Sequence, residues 1–163
     1  MTMNATEQLV ELIRKLENIS SELNSVLKQE QAILKSQDSK QLMTLSKEKK
    51  TLVSELEKHT KTTHIFLNNM KINKGLYGLS SFISKLKPSD SKELFSTLWS
   101  SIETLSEGNK KLNAINGSII ELNRRHTQRC LDVLRGQVGT STATYGSNGQ
   151  TMKSKISRNI SIV

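Results

Sequence analysis

Aromatic residues are scarce in this sequence: 4% of 163 residues, with a single Trp. Proline occurs once, at Pro88, and cysteine once, at Cys130. Few aromatics argue against a large sheet-built core and for helices with aliphatic seams. One proline leaves long stretches free of the residue that most disrupts a helix interior. One cysteine excludes an intrachain disulfide and suits a reducing compartment. Cys130 falls beside Leu131 and Leu134 in a helical pattern, so it is expected as a small core residue. No run approaches the length of a membrane span, and Met1 to Thr6 lacks the apolar stretch of a signal peptide. A cytoplasmic location is therefore expected, without stable membrane insertion.

Groups that could carry chemistry are equally sparse. His59 and His64 stand five apart with no cysteine nearby, which is not a zinc-site spacing. His126 and Cys130 share a helix face at i, i+4. A convex helix surface, however, offers no pocket and no oxyanion donors for a thiolate–imidazole pair. Gly75 and Gly78 are too close together and too isolated to form a phosphate loop. The expectation is no catalysis, no metal and no cofactor. Net charge is +9, with 24 basic and 15 acidic residues. The excess lies in a connector near residues 71–90 and in the last 28 residues, where Lys153, Lys155 and Arg158 have no acidic companion. A nucleic-acid binder would carry a basic stripe interleaved with aromatics, so no nucleic acid is expected. An acidic partner or membrane surface stays open for the tail.

What the sequence does contain is helical periodicity. From Leu94 to Leu134 there is no proline, and Leu98, Ile102, Leu105, Leu112 and Ile119 recur at three- and four-residue steps. Asn109, Asn116 and Asn123 follow one another at heptad spacing on the same face. They sit either in the packed seam, where a polar group fixes register at a cost in stability, or at its wet edge. Residues 7–36 carry Leu9, Leu12, Leu16, Ile19, Leu23, Val26 and Ile33 in heptads, with Glu30 as the break. Ile13, Leu27 and Leu34 widen that stripe enough for two neighbours. Thr6 or Asn4 could cap it.

Residues 40–71 hold a second such pattern through Leu42, Leu45, Leu52, Leu56, Thr63, Phe66 and Met70, interrupted by Lys49 and His59. The run Lys47 to Lys50 reads as a solvated face. Asp38 or Ser39 is a cap for this helix, although a single bent helix through residues 7–71 is the alternative. Leu79, Phe82, Ile83 and Leu86 predict a short connector helix. Ser89 or Asp90 should cap the third long helix, the latter in a capping box with Glu93. The fold expected is all-α: an antiparallel, coiled-coil-like bundle of three long helices (about 7–36, 40–71 and 90–135) with a short helix near 79–86. Residues 1–135 form the bundle domain and 136–163 a flexible, small, polar tail. Within that tail Met152, Ile156 and Ile160 are spaced for a short basic amphipathic helix.

Several of these features occur together in one known family. Asn113-Ala114-Ile115-Asn116-Gly117-Ser118-Ile119-Ile120 resembles the Asn-x-x-Asn-Gly-x-aliphatic-Ile motif late in the last long helix of the FlgN family of flagellar type III export chaperones. Thr144-Tyr145-Gly146-Ser147-Asn148-Gly149-Gln150 resembles that family's tail element. Trp99, Gln31 to Leu34 and Lys49-Lys50-x-Leu52 fit the same order.

The resemblance implies a protein that binds hook–filament junction subunits, keeps them unassembled and delivers them to the flagellar export gate. Client contacts are expected among Asn116, Gly117, Ile120, Leu131, Val133 and Leu134; the last four fall off the asparagine seam at 100° per residue, and the alternative is that they fill the bundle core. Tyr145, with Gly146 and Gly149, would dock on export gate components. The protein would act as a monomer or weak homo-oligomer. Gly117, costly inside a helix by ~1 kcal/mol relative to Ala, should mark a close backbone approach or a bend. The alternatives are a non-catalytic coiled-coil adaptor, or a membrane or nucleic-acid binder acting through the basic tail.

Overall fold

The computed structural model describes residues 5–36, 38–72, 75–85, 90–136, 144–145 and 151–152. Among the described residues the fold is all-α, with four α-helices: α1 (Ala5–Ser36), α2 (Ser39–Asn69), α3 (Leu79–Lys85) and α4 (Asp90–Leu134). A 3-10 turn, Gly75–Gly78, leads into α3. Two compact units divide within α4, Met1–Gly117 and Ser118–Val163.

The break between α1 and α2 is a true helix end. The Asp38 carboxylate accepts from the backbone N–H of Lys40 and of Gln41, both at 3.1 Å, satisfying two donors that the helix leaves open. The chain reverses there. Glu30 pairs with Lys49 near the turn, and Leu9 and Ile13 pack with Leu67 at the far end. The single bent helix is thereby excluded.

The other end of α2 is closed by a Schellman motif. Lys71 N–H donates to Asn68 O at 2.9 Å and Ile72 N–H donates to Leu67 O at 3.0 Å. Lys71 adopts φ 58 to do so, a conformation usually left to glycine. Ile72 and Leu67 are both buried in one cluster, the apolar contact that accompanies this motif. At the 3-10 turn, Gly75 also has positive φ, and a Cβ there would lie 2.3 Å from the His64 ring. His64 is thus a packing residue for the connector.

The core of the first unit falls into two clusters. One joins Leu9, Ile13, Leu67, Ile72, Leu79, Ile83 and Phe95, flanked by Phe66, Phe82, Leu98 and Trp99. The other joins Ile19, Leu23, Val26, Leu27, Leu45 and Leu52, flanked by Leu56 and Leu112. The α1 stripe is buried at Leu9, Leu16, Ile19, Leu23 and Val26 and at the widening positions Ile13, Leu27 and Leu34, while Leu12 and Ile33 are half-buried. In α2 the inward line shifts: Leu67 is buried while Phe66 and Met70 are only half-buried. Trp99 anchors the connector, donating from Nε1 to Ser80 Oγ at 2.8 Å.

Three local expectations are corrected. Thr6 lies inside α1 rather than capping it, because the helix already begins at Ala5; Asn4 lies outside the described residues. The expected start of α4 falls at Asp90, while Ser89 lies outside the described residues. Lys49 leaves the solvated run to reach Glu30, and its side chain is only 23% exposed. Cys130 is exposed, not core, with Sγ 3.8 Å from His126 Nδ1.

In the second unit, Thr144–Tyr145 pairs antiparallel with Thr151–Met152, Thr144 opposite Met152 and Tyr145 opposite Thr151. Met152, the first residue of the expected amphipathic segment, lies in this pair. Ile156 and Ile160 lie outside the described residues.

Candidate protein-binding surface on the last helix

The face of α4 within the first unit is set by asparagine. Phe95, Asn109 and Asn116 are buried, whereas Leu98, Ile102, Leu105 and Leu112 are half-buried. The deeper line is therefore the polar one. Asn109 Nδ2 donates to Ser20 O at 2.9 Å, and Asn24 Nδ2 donates to Asn109 Oδ1 at 2.8 Å. One heptad on, Asn116 Nδ2 donates to Leu27 O at 2.9 Å. Both backbone bonds span 89 residues. Equal offsets mean that α1 and this part of α4 run parallel, in a fixed register. Sliding α4 by one turn would strand both amides away from their acceptors, which is how buried polar groups specify alignment.

Asn116 also meets a charge pair. Its Nδ2 donates to Glu30 Oε2 at 2.8 Å, while Glu30 Oε1 accepts from Lys49 Nζ. Glu30 is 2% exposed, so the residue that broke the α1 pattern is buried, with a cation from α2 and an amide from α4 on its two oxygens. A buried carboxylate needs this compensation. Asn116 Oδ1 has no partner, the one such buried side-chain atom among the described residues. Asn116 was expected among the client contacts; its burial makes it a packing and register residue instead.

Gly117 is exposed, and a Cβ there would meet nothing within 4 Å. The expected close approach of another backbone is absent. The other expected contact residues lie at the surface: Ile120 is 41% exposed, Leu131 39%, Val133 58% and Leu134 82%. Leu122, which periodicity reasoning passed over, is 61% exposed. These residues cluster in the second unit on a helix rich in arginine.

There, Arg124 donates twice to the Glu121 carboxylate, both at 2.9 Å, and Arg125 lies 3.5 Å from it. The hydrogen bond from Arg124 holds the Glu121 carboxyl below its ordinary range and raises the guanidinium. Gln128 Nε2 donates to Asp132 Oδ1 at 2.8 Å. Tyr145 is placed in its short strand by the backbone; Gly146 and Gly149 lie outside the described residues. Among the described residues no three or more His, Cys, Asp or Glu gather where a metal could bind, and no helix is long and apolar enough to cross a membrane.

An apolar, arginine-edged helix surface on an all-helical scaffold is suited to holding another helix. The family model described as FlgN protein matches residues 1–153. The chain belongs to the FlgN family. Comparison with curated proteins and with solved structures returned no match. FlgN is a chaperone family, not an enzyme family, and membership gives the chain the general role of a flagellar export chaperone.

Proposed function

We propose that the chain binds hook–filament junction subunits in the cytoplasm, holds them unassembled and hands them to the type III export gate. In this reading α1, α2 and α4 form one antiparallel bundle, residues 136–163 serve as a tail, and clients dock on Ile120, Leu131, Val133 and Leu134. Gly117 opens that stretch. The observation that carries the reading is the exposed apolar surface of α4 beyond Gly117 in a FlgN-family chain. Amphipathic client segments left free would pair with one another, and a helix presenting leucines can cover them instead. Ordering such segments costs free energy, so binding of moderate affinity, compatible with release, is expected.

Deleting residues 126–163 tests the site. Loss of junction-subunit binding, with the helical signal of the remaining chain intact, supports it; retained binding moves the site elsewhere. Gate docking is assigned to Tyr145, Gly146 and Gly149, since an aromatic anchor in a short segment can carry ~2 kcal/mol of binding. Tyr145→Ala should weaken binding to the gate's cytoplasmic domain and leave client affinity unchanged. Equal gate binding by parent and variant removes the assignment.

A further inference from the structure

The exposed apolar residues beyond Gly117 do not form one stripe. At about 100° per residue, Ile120, Leu131 and Leu134 fall within roughly 60° of one another, while Leu122 and Val133 stand together roughly 140° around the helix. All five are exposed, Leu122 and Val133 at 61% and 58%. One straight helix lying in one groove contacts a single stripe of its partner. It could not cover both sets.

The charges follow the same division. Arg124 and Arg135 border the first set on one side; Arg125 and Arg129 border the second on one side, with His126 on its other. The acidic residues of this segment, Glu121 and Asp132, share the line that separates the two sets. Both carboxylates are already engaged, Glu121 by Arg124 and Arg125 and Asp132 by Gln128. Arg129 and Arg135 make no ion pair among the described residues. Each apolar set therefore has a basic border and no free carboxylate at its edge.

We propose that this half of α4 is clasped on two sides: its occupant is a client that supplies two amphipathic helical segments with acidic edges, one for each apolar set. The inference rests on the proposed client role of this helix and specifies the shape and charge of what binds there. An acidic edge on each segment would meet the arginines that border its set on one side, which selects against basic amphipathic helices and fixes how each segment lies. Two segments bound to one helix also raise each other's effective concentration, so individually weak contacts add to a firm hold that either segment can begin to undo.

The test uses the full chain and the purified full-length junction subunit. Two double variants are compared with the parent: Ile120→Asp with Leu131→Asp, and Leu122→Asp with Val133→Asp. Each should weaken client binding at least tenfold. A second measurement covers any variant that fails to fold. In a Cys130→Ser background, photo-crosslinkers carried by a single cysteine at Leu131→Cys or at Val133→Cys should label two different segments of the client. If one double variant binds as the parent does, or both crosslinkers label the same segment, the two-sided clasp is overturned while the proposed function stands. If the parent itself does not bind the junction subunit, both fall together. Loss of a homodimer in either variant with client binding unchanged assigns the surface to a second copy and also overturns the clasp.

Discussion

Replacing Lys49 by Met removes one charge and little else. Methionine keeps a long apolar stem over the same surface, so packing loss is small. Glu30, 2% exposed, then faces the interior with only the Asn116 amide on one oxygen. Breaking a buried pair from one side costs about 3–5 kcal/mol. The bond from Asn116 survives and Lys49 is 23% exposed, both of which place this case near the lower end. A loss of ~3 kcal/mol is a large part of a stability of about 5–15 kcal/mol. In Tm it corresponds to roughly 6–12 °C for a chain of this size.

The assay is urea unfolding followed by circular dichroism at the helix band, with Lys47→Met and Lys50→Met as controls. Both control side chains are exposed and should fall within ~0.5 kcal/mol of the parent. The double variant Glu30→Leu with Lys49→Met should recover most of the loss, because no charge is then left buried. A Lys49→Met variant no worse than Lys50→Met, or a double variant no better than Lys49→Met alone, would mean that Lys49 does not compensate a buried Glu30 charge.

Three further outcomes follow from the geometry. Lys71→Gly should raise stability by ~1 kcal/mol in the same urea titration, because Lys71 holds a positive φ of 58 that glycine adopts freely; a loss would mean that the lysine side chain contributes more than its backbone costs. Gly117→Ala should also stabilise, by ~1 kcal/mol, since the added Cβ meets nothing within 4 Å in a helix interior; a drop in Tm would reveal a hidden close approach. Cys130 is exposed, so one thiol should react with a disulfide reagent in the folded chain as fast as in urea; protection in the folded chain would return it to the core.

The three long helices were legible because their apolar residues keep a strict rhythm over many turns. The Asp38 cap was legible because a short acidic side chain stood between two such patterns. Glu30 and Lys49 were read separately, as a break in one pattern and an interruption in the other. They lie equally far on either side of the Ser39–Lys40 junction, so folding the hairpin at its cap brings them opposite. A count of apolar residues alone cannot see two opposite charges that answer each other.

The asparagines were legible as a ladder, but not their depth. Their acceptors on α1 are mainly main-chain carbonyls, Ser20 O and Leu27 O, which every residue possesses and which leave no mark in a sequence. Leu122 is illegible for the opposite reason: it lies off the seam line, on a face exposed among the described residues. Adjacency to Leu131 and Leu134 does not bury Cys130, because those leucines are themselves exposed.

The most direct test of the central claim is calorimetric titration of the full chain with the purified hook–filament junction subunit, repeated across temperature and salt. Saturable binding with a negative heat-capacity change, the mark of buried apolar surface, and weakened only in part as salt screens the arginine borders, is the predicted result. No binding, or binding that collapses steeply as salt rises, would contradict it.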